Sequence, residues 1–334
     1  MINVGVIGVG PEWEKYRPAL KSLRRPVGVK AVYDSVHARA EQVAAALSTD
    51  AVTGLGQLAS RHDIRAVLLL ESGWATTPGI EILARSGKPV FIRPWLAAPA
   101  SFFEDTFERA SQAGLMLMPA MWRRFMPSTM RLQELFATEL GLPQRVTIQQ
   151  KLPDSAREVS EKLVGWLDFA RNLFRAYPQS ARLDVEENSL RLTVEYPGRA
   201  EGSDPRLAVL TMTAEDCEAV QLRARLEHAI QGRPENANGS PLGNGHDKAD
   251  EKTEIAQVVC ECQVGRATLH SRTRLTWHLD ESPDTTFTDE ELRAERDEQQ
   301  VMLDLFCRRL VGGLIPVADF SDISRALRLV ESVL

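Results

Sequence analysis

The stretch Val4-Gly5-Val6-Ile7-Gly8-Val9-Gly10-Pro11-Glu12-Trp13 reads as a strand, a glycine-rich turn and the opening of a helix. Glycines in such a turn let a backbone approach a pyrophosphate, and the helix N-terminus behind it supplies N–H groups and positive potential. Gly8 and Gly10 stand at the first two positions of G-x-G-x-x-G, whereas Trp13 fills the third, where bulk works against close approach of helix and strand. Asp34 ends the next apolar run and suits a ribose 2'-hydroxyl acceptor, which favours NAD(H) over NADP(H). A nucleotide-free domain of the same topology, with Asp34 merely capping the next helix, is the competing reading.

Outward from this turn, residues 1–120 alternate short apolar runs with amphipathic stretches. Strands are expected at 2–7, 29–33, 66–70, 90–92 and 115–118, with helices at 13–23, 37–47, 78–85 and 101–113. That alternation predicts an α/β doubly wound domain on a parallel sheet, a Rossmann dinucleotide-binding-like unit. Residues 121–334 change character, and a second α/β domain with a largely antiparallel open sheet is expected there. Its helices are placed at 127–140 and 155–176, and its strands at 145–150, 190–196, 207–212, 219–226, 257–264 and 274–279. The alternation Leu190-Arg191-Leu192-Thr193-Val194-Glu195 implies one covered face, on which the helices should lie. Residues 231–253 have almost no apolar side chain and are expected to form a mobile loop. Thr288-Asp289-Glu290-Glu291 resembles a capping box opening a helix that buries Met302, Leu305, Phe306 and Leu310, and residues 320–334 form a last amphipathic helix.

Composition narrows the function classes. Forty basic against forty-six acidic residues leave a net charge of -6, without a basic block to track phosphates, so nucleic-acid partners are not expected. The longest purely apolar runs span only a few residues, too short for a bilayer, and no basic and apolar leader precedes the first strand. A cytoplasmic protein is expected. The cysteines are Cys217, Cys260, Cys262 and Cys307; with no C-x-x-C pair they read as reduced, mostly buried thiols, and no metal site is expected. His37, His62, His228, His246, His270 and His278 all fall outside the glycine turn and read as surface, turn or strand residues. No serine-hydrolase elbow, zincin motif or Walker-type loop is present.

Four stretches resemble the Gfo/Idh/MocA family of glucose-fructose and inositol dehydrogenase-like proteins, and the resemblance covers both halves. They are the glycine turn, Ser86-Gly87-Lys88-Pro89-Val90-Phe91-Ile92-Arg93-Pro94-Trp95-Leu96-Ala97, Arg123-Arg124-Phe125-Met126-Pro127, and the stretch from Gly165 to Phe174 that begins Gly165-Trp166-Leu167-Asp168. The resemblance implies a Rossmann domain plus a C-terminal α/β domain, whose open sheet often serves in oligomer contacts, so a homo-oligomer is implied. It also implies Gly8, Gly10, Asp34, Glu71 and Arg93 as the cofactor-binding positions if a dinucleotide binds.

This chain departs from the family at the chemistry. Arg93 stands where the family has the lysine of Glu-Lys-Pro, and an arginine stays protonated where a tuned lysine need not. Glu161 and Gly165 fall on the family's Asp-x-x-x-His pair, so a carboxylate remains and the imidazole does not. Glu71 and Trp74 replace residues of the segment after the fourth strand. Trp13, Trp74, Trp95, Trp122 and Trp166 all fall at segments that border the cleft in the resembled fold, where they either pack helix ends or fill the cleft. Two functions follow. One is a protein that keeps the fold but has lost dehydrogenase catalysis and binds a small-molecule ligand or a protein partner in a regulatory or assembly role. The other is an NAD(P)-dependent oxidoreductase on a sugar-like or small polyol substrate, with Glu161 as base and Arg93 polarising the substrate oxygen.

Overall fold

The computed structural model describes residues 1–70, 76–93, 98–153, 155–198, 203–214, 218–231, 256–292 and 297–334. Their elements, in chain order, begin with β1 (Ile2–Ile7), α1 (Pro11–Lys21), β2 (Val27–Tyr33), α2 (His37–Leu47), β3 (Asp50–Ala51), α3 (Leu55–Ala59), β4 (Ala66–Leu69), α4 (Thr76–Arg85), β5 (Val90–Ile92), α5 (Ala100–Gln112) and β6 (Leu117–Pro119). There follow α6 (Pro127–Thr138), β7 (Pro143–Lys151), α7 (Ala156–Phe174), β8 (Ser180–Glu186), β9 (Ser189–Tyr196), β10 (Arg206–Thr213) and α8 (Ala219–Gln231). The chain closes with β11 (Gln257–Cys262), β12 (Gly265–Leu269), β13 (Leu275–Leu279), β14 (Phe287–Asp289), α9 (Glu298–Leu310) and α10 (Phe320–Glu331). The expected mobile loop, Cys217, Glu71, Trp74, Trp95 and His246 lie wholly or almost wholly outside the described residues.

Two compact units result. The first comprises Met1–Trp95, Ser101–Trp122 and Arg296–Ser324, and the second Leu96–Ala100, Arg123–Glu295 and Arg325–Leu334. The first unit holds a parallel six-stranded sheet in the order β3-β2-β1-β4-β5-β6. Every residue of β4 and β5 is buried, as in a sheet covered on both faces. Edge-to-face ring contacts run from Tyr16 in α1 through Phe91 in β5 to Phe306 in α9, and so tie the late helix α9 to the first sheet.

The second unit holds an eight-stranded sheet, β14-β13-β12-β11-β7-β10-β9-β8, antiparallel except where β10 runs parallel to β7. Leu190, Leu192, Val194 and Tyr196 of β9 are buried while Arg191 and Glu195 face outward, the one-sided pattern anticipated. Helix α7 packs on β7 and β10, and α8 packs on β8 and β9.

Two expectations are corrected. Residues 219–226 are helical, because Leu222, Leu226, Ala229 and Ile230 recur at helical spacing and are buried while Val220 is exposed. Thr288-Asp289-Glu290-Glu291 opens no helix, since Phe287–Asp289 pairs with β13 as an edge strand. The helix begins at Glu298 instead, where the Asp297 side chain accepts the Gln300 N–H. It buries Met302, Leu303 and Phe306 but leaves Leu305 and Leu310 partly exposed.

Candidate functional site

In the first unit β1 ends at Ile7 and the chain turns through Gly8, whose φ of 86° lies in the region that a side chain disfavours. Gly10 then takes the N-cap position of α1 and offers no side chain to cap it. In the first turn of α1 Pro11 has no N–H and the Trp13 N–H turns back to the Gly10 carbonyl at 3.0 Å, which leaves the Glu12 N–H without a side-chain cap. Trp13 is fully buried on the inner side of α1, so its indole serves the core of the unit rather than the surface of the turn.

Asp34, just past β2, is buried and accepts two backbone N–H bonds, from Val9 to Oδ2 and from Val36 to Oδ1, each 2.8 Å. Both carboxylate oxygens thus brace the glycine turn against the segment leading into α2. The Arg39 Nε lies 3.7 Å from Asp34 Oδ1. Glu12, in the first turn of α1, pairs with Lys15 at 3.2 Å and with Arg93 at 3.7 Å. Around the turn Lys15, Arg39 and Arg93 stand within ion-pair distance of Glu12 or Asp34.

The second unit carries the other sequence candidates on α7. Ser155 caps that helix by accepting the Glu158 N–H, and the stripe Val159, Leu163, Trp166, Ala170 and Leu173 is buried. Gly165 stands in the helix middle beside Arg123. A Cβ built at Gly165 would collide with the Arg123 guanidinium, its nearest nitrogen overlapping and its Cζ at 3.1 Å. That guanidinium also stacks on the Trp166 ring, 4.5 Å from its centroid. Trp166 is itself 4% exposed and donates its indole N–H to Gln150 on β7. Burial pushes Arg123 down to about 10, against the opposing charges of Glu161 and Asp168. Arg124 grips the buried Asp168 through Nε to Oδ2 at 2.7 Å and Nη2 to Oδ1. The space that a residue-165 side chain would occupy therefore holds the head of Arg123, with Glu161 the half-buried carboxylate one helical turn away.

The structure brings Gly8, Gly10, Asp34 and Arg93 to one edge of the first sheet and Glu161 and Gly165 to one face of α7. Arg39 was not singled out by the sequence, and Arg123, though in one of the four resembling stretches, was assigned no role. An arginine five residues past the acidic end of β2 was a usable signal for Arg39. Arg123 had none, because its position over Gly165 depends on tertiary packing. Among the described residues no group of three His, Cys, Asp or Glu could hold a metal ion. No described helix is long and apolar enough to cross a membrane.

Solved structures with the same arrangement exist. UDP-N-acetylglucosamine 3-dehydrogenase from Acidithiobacillus ferrooxidans superposes with a TM-score of 0.69 at 16% identity, over 99% of this chain and 96% of that one. A dehydrogenase from Chromobacterium violaceum gives 0.75 at 14% identity, over 100% and 94%. The dehydrogenase MviM from Clostridium difficile gives 0.70 at 15% identity, over 99% and 98%. The fold is that of the Gfo/Idh/MocA-type dehydrogenases. No protein-family model matches the chain, and no curated protein does. At these identities the Gfo/Idh/MocA-type likeness speaks for architecture alone, so residue roles have to come from the two clusters themselves.

Proposed function

We propose that this chain is an NAD(P)-dependent oxidoreductase of Gfo/Idh/MocA type acting on a sugar-like or small polyol substrate. The observation that carries the reading is the glycine turn after β1, with Gly8 in the left-handed region, Gly10 at a helix start that no side chain caps, Asp34 bracing the turn and Arg39 and Arg93 close to it. A pyrophosphate fits such a place, since backbone N–H groups and guanidinium groups together offset its charge. The N-terminal end of α1 at Gly10 and Glu12 would hold the cofactor, with Arg39 and Arg93 beside it, while the Gly8 and Val9 N–H groups stay with the Tyr33 carbonyl and Asp34. When bound, its nicotinamide supplies the hydride acceptor. In the first unit Arg93, permanently charged, polarises the substrate oxygen.

A second reading has one specific observation in its favour. The space above Gly165 is filled by Arg123, which at about 10 stays protonated near neutral pH and accepts no proton there. A protein with this cluster can bind a ligand without turning it over, in a regulatory or assembly role. Calorimetric titration with NAD(P)H, joined to a spectrophotometric assay of NAD(P) reduction over a panel of polyols and sugars, separates the two. Binding at or below about 10 µM, some 7 kcal/mol, with substrate-dependent reduction supports the oxidoreductase. Equally tight binding with no reduction by any of the panel favours the second reading, and absence of binding overturns the first.

A further inference from the structure

We infer that the dinucleotide taken by this chain is the 2'-phosphorylated one, NADP(H), and that Arg39 is the residue that selects it. The inference rests on the proposal that the glycine turn binds a dinucleotide, and it reverses the preference that Asp34 suggests when read from the sequence.

An acidic residue at the end of the second strand selects NAD by accepting hydrogen bonds from the ribose 2'-hydroxyl. To do so it needs an exposed oxygen. The Asp34 side chain has no exposed surface, and its two oxygens already accept the N–H groups of Val9 and Val36. Leaving those bonds to reach a ribose would strand the Val9 N–H in the glycine turn and the Val36 N–H at the start of α2. Asp34 is a brace for the turn, and its charge is turned inward.

Arg39 has the opposite disposition. Its side chain is 42% exposed, and its Nε lies 3.7 Å from Asp34 Oδ1, which orients the stem. Its Nη1 lies 3.5 Å from where a Cβ on Gly10 would stand, so the guanidinium hangs beside the glycine turn at the strand end where the adenosine ribose is expected. A guanidinium has five N–H donors in a planar fork, and one approach at Nε leaves the Nη donors free to grip a phosphate in two-point fashion. On α2 no acidic residue stands in the first turn, and Glu41 lies one turn farther along, 3.4 Å from His37 and exposed to solvent. Glu12, the other carboxylate of the turn, is held between Lys15 and Arg93. A 2'-phosphate therefore meets an exposed guanidinium, with the nearest carboxylate screened behind it.

The test is a set of calorimetric titrations of the full chain with NADPH, NADH, 2',5'-ADP and 5'-AMP, repeated on Arg39→Ala and Arg39→Lys. Because the side chain reaches the surface and its helix needs no arginine there, both variants are expected to keep the fold, which circular dichroism checks. The expected result is NADPH tighter than NADH by at least about tenfold, a difference of 1.4 kcal/mol, and 2',5'-ADP tighter than 5'-AMP by a similar factor. Arg39→Ala should erase both preferences, weakening NADPH at least about tenfold more than it weakens NADH, a difference of 1.4 kcal/mol. Arg39→Lys, with one charge but no fork, should fall between. NADH binding as tightly as NADPH overturns the inference and leaves the oxidoreductase reading standing. A preference for NADPH that survives Arg39→Ala overturns the role given to Arg39. Failure of all four compounds to bind overturns both the inference and the reading beneath it.

Discussion

Replacing Gly165 with alanine should destabilise the protein, although a helix interior normally gains from that change. Gly→Ala in the middle of a helix is worth about 1 kcal/mol in favour of alanine. Here the added Cβ enters space held by the Arg123 guanidinium, whose Cζ would be 3.1 Å away. Overpacking of this kind costs about 1–3 kcal/mol, and displacing the guanidinium from Trp166 forfeits a further ~0.5–2 kcal/mol of cation–π attraction. The net expectation is a loss of about 0.5–4 kcal/mol. With Arg123→Ala already in place the obstruction is gone, and the same Gly165→Ala change should stabilise by ~1 kcal/mol. The two positions should thus be coupled by about 2 kcal/mol or more, within the range for residues in contact. Urea unfolding of the four proteins, followed by tryptophan fluorescence, measures this. A Gly165→Ala change that stabilises both backgrounds equally would refute the claim that Arg123 fills the space above Gly165.

Trp166→Ala should cost about 3–5 kcal/mol, the range for deleting a large buried side chain, because the indole is buried, bonded to Gln150 and covered by Arg123; a loss under ~1 kcal/mol in thermal unfolding would mean that it lines an open surface instead. Trp13→Ala should be similarly costly, and the same unfolding experiment reads whether that side chain belongs to the core. The buried thiols predict a loss of stability in alkali. Burial raises Cys262 to about 12 and Cys307 to about 11 from an ordinary 9.0, and Cys260 well above it. The unfolded chain therefore releases these protons first, so stability present below pH 9 declines as pH rises through about 9 to 12. Urea midpoints that stay flat over that window, or that shift equally when the three cysteines are replaced by alanine, would contradict this.

Much of the first unit could be read from the chain because a parallel sheet buried on both faces writes itself as continuous apolar runs, as in Val67, Leu68 and Leu69 of β4. The second unit was legible where one face is covered, as in β9, and misread where a short window satisfies two periods. Val220, Leu222 and Leu226 suit a strand by alternation and a helix by four-residue spacing, and only the fuller set with Ala229 and Ile230 separates them. Residues 288–291 carry the letters of a cap, yet the pairing of Phe287 with Trp277 draws that segment onto the sheet edge. The short strands β3 and β12 have too few apolar residues to announce themselves. At the candidate site the sequence supplied the positions Gly8, Gly10, Asp34, Arg93, Glu161 and Gly165, but not their partners. That Asp34 braces the turn, that Arg93 pairs with Glu12 and that Arg123 covers Gly165 are consequences of packing between elements distant in the chain.

The central claim, that the glycine turn is a dinucleotide site, is tested most directly by hydrogen exchange with and without saturating NADPH. Slowed exchange is expected in peptides covering residues 8–13 and 34–39, the turn and the segment carrying Asp34 and Arg39, with little change in β12 and β13 of the eight-stranded sheet. Unchanged exchange across residues 8–13 and 34–39 at millimolar NADPH, or protection confined to the second unit, would contradict it.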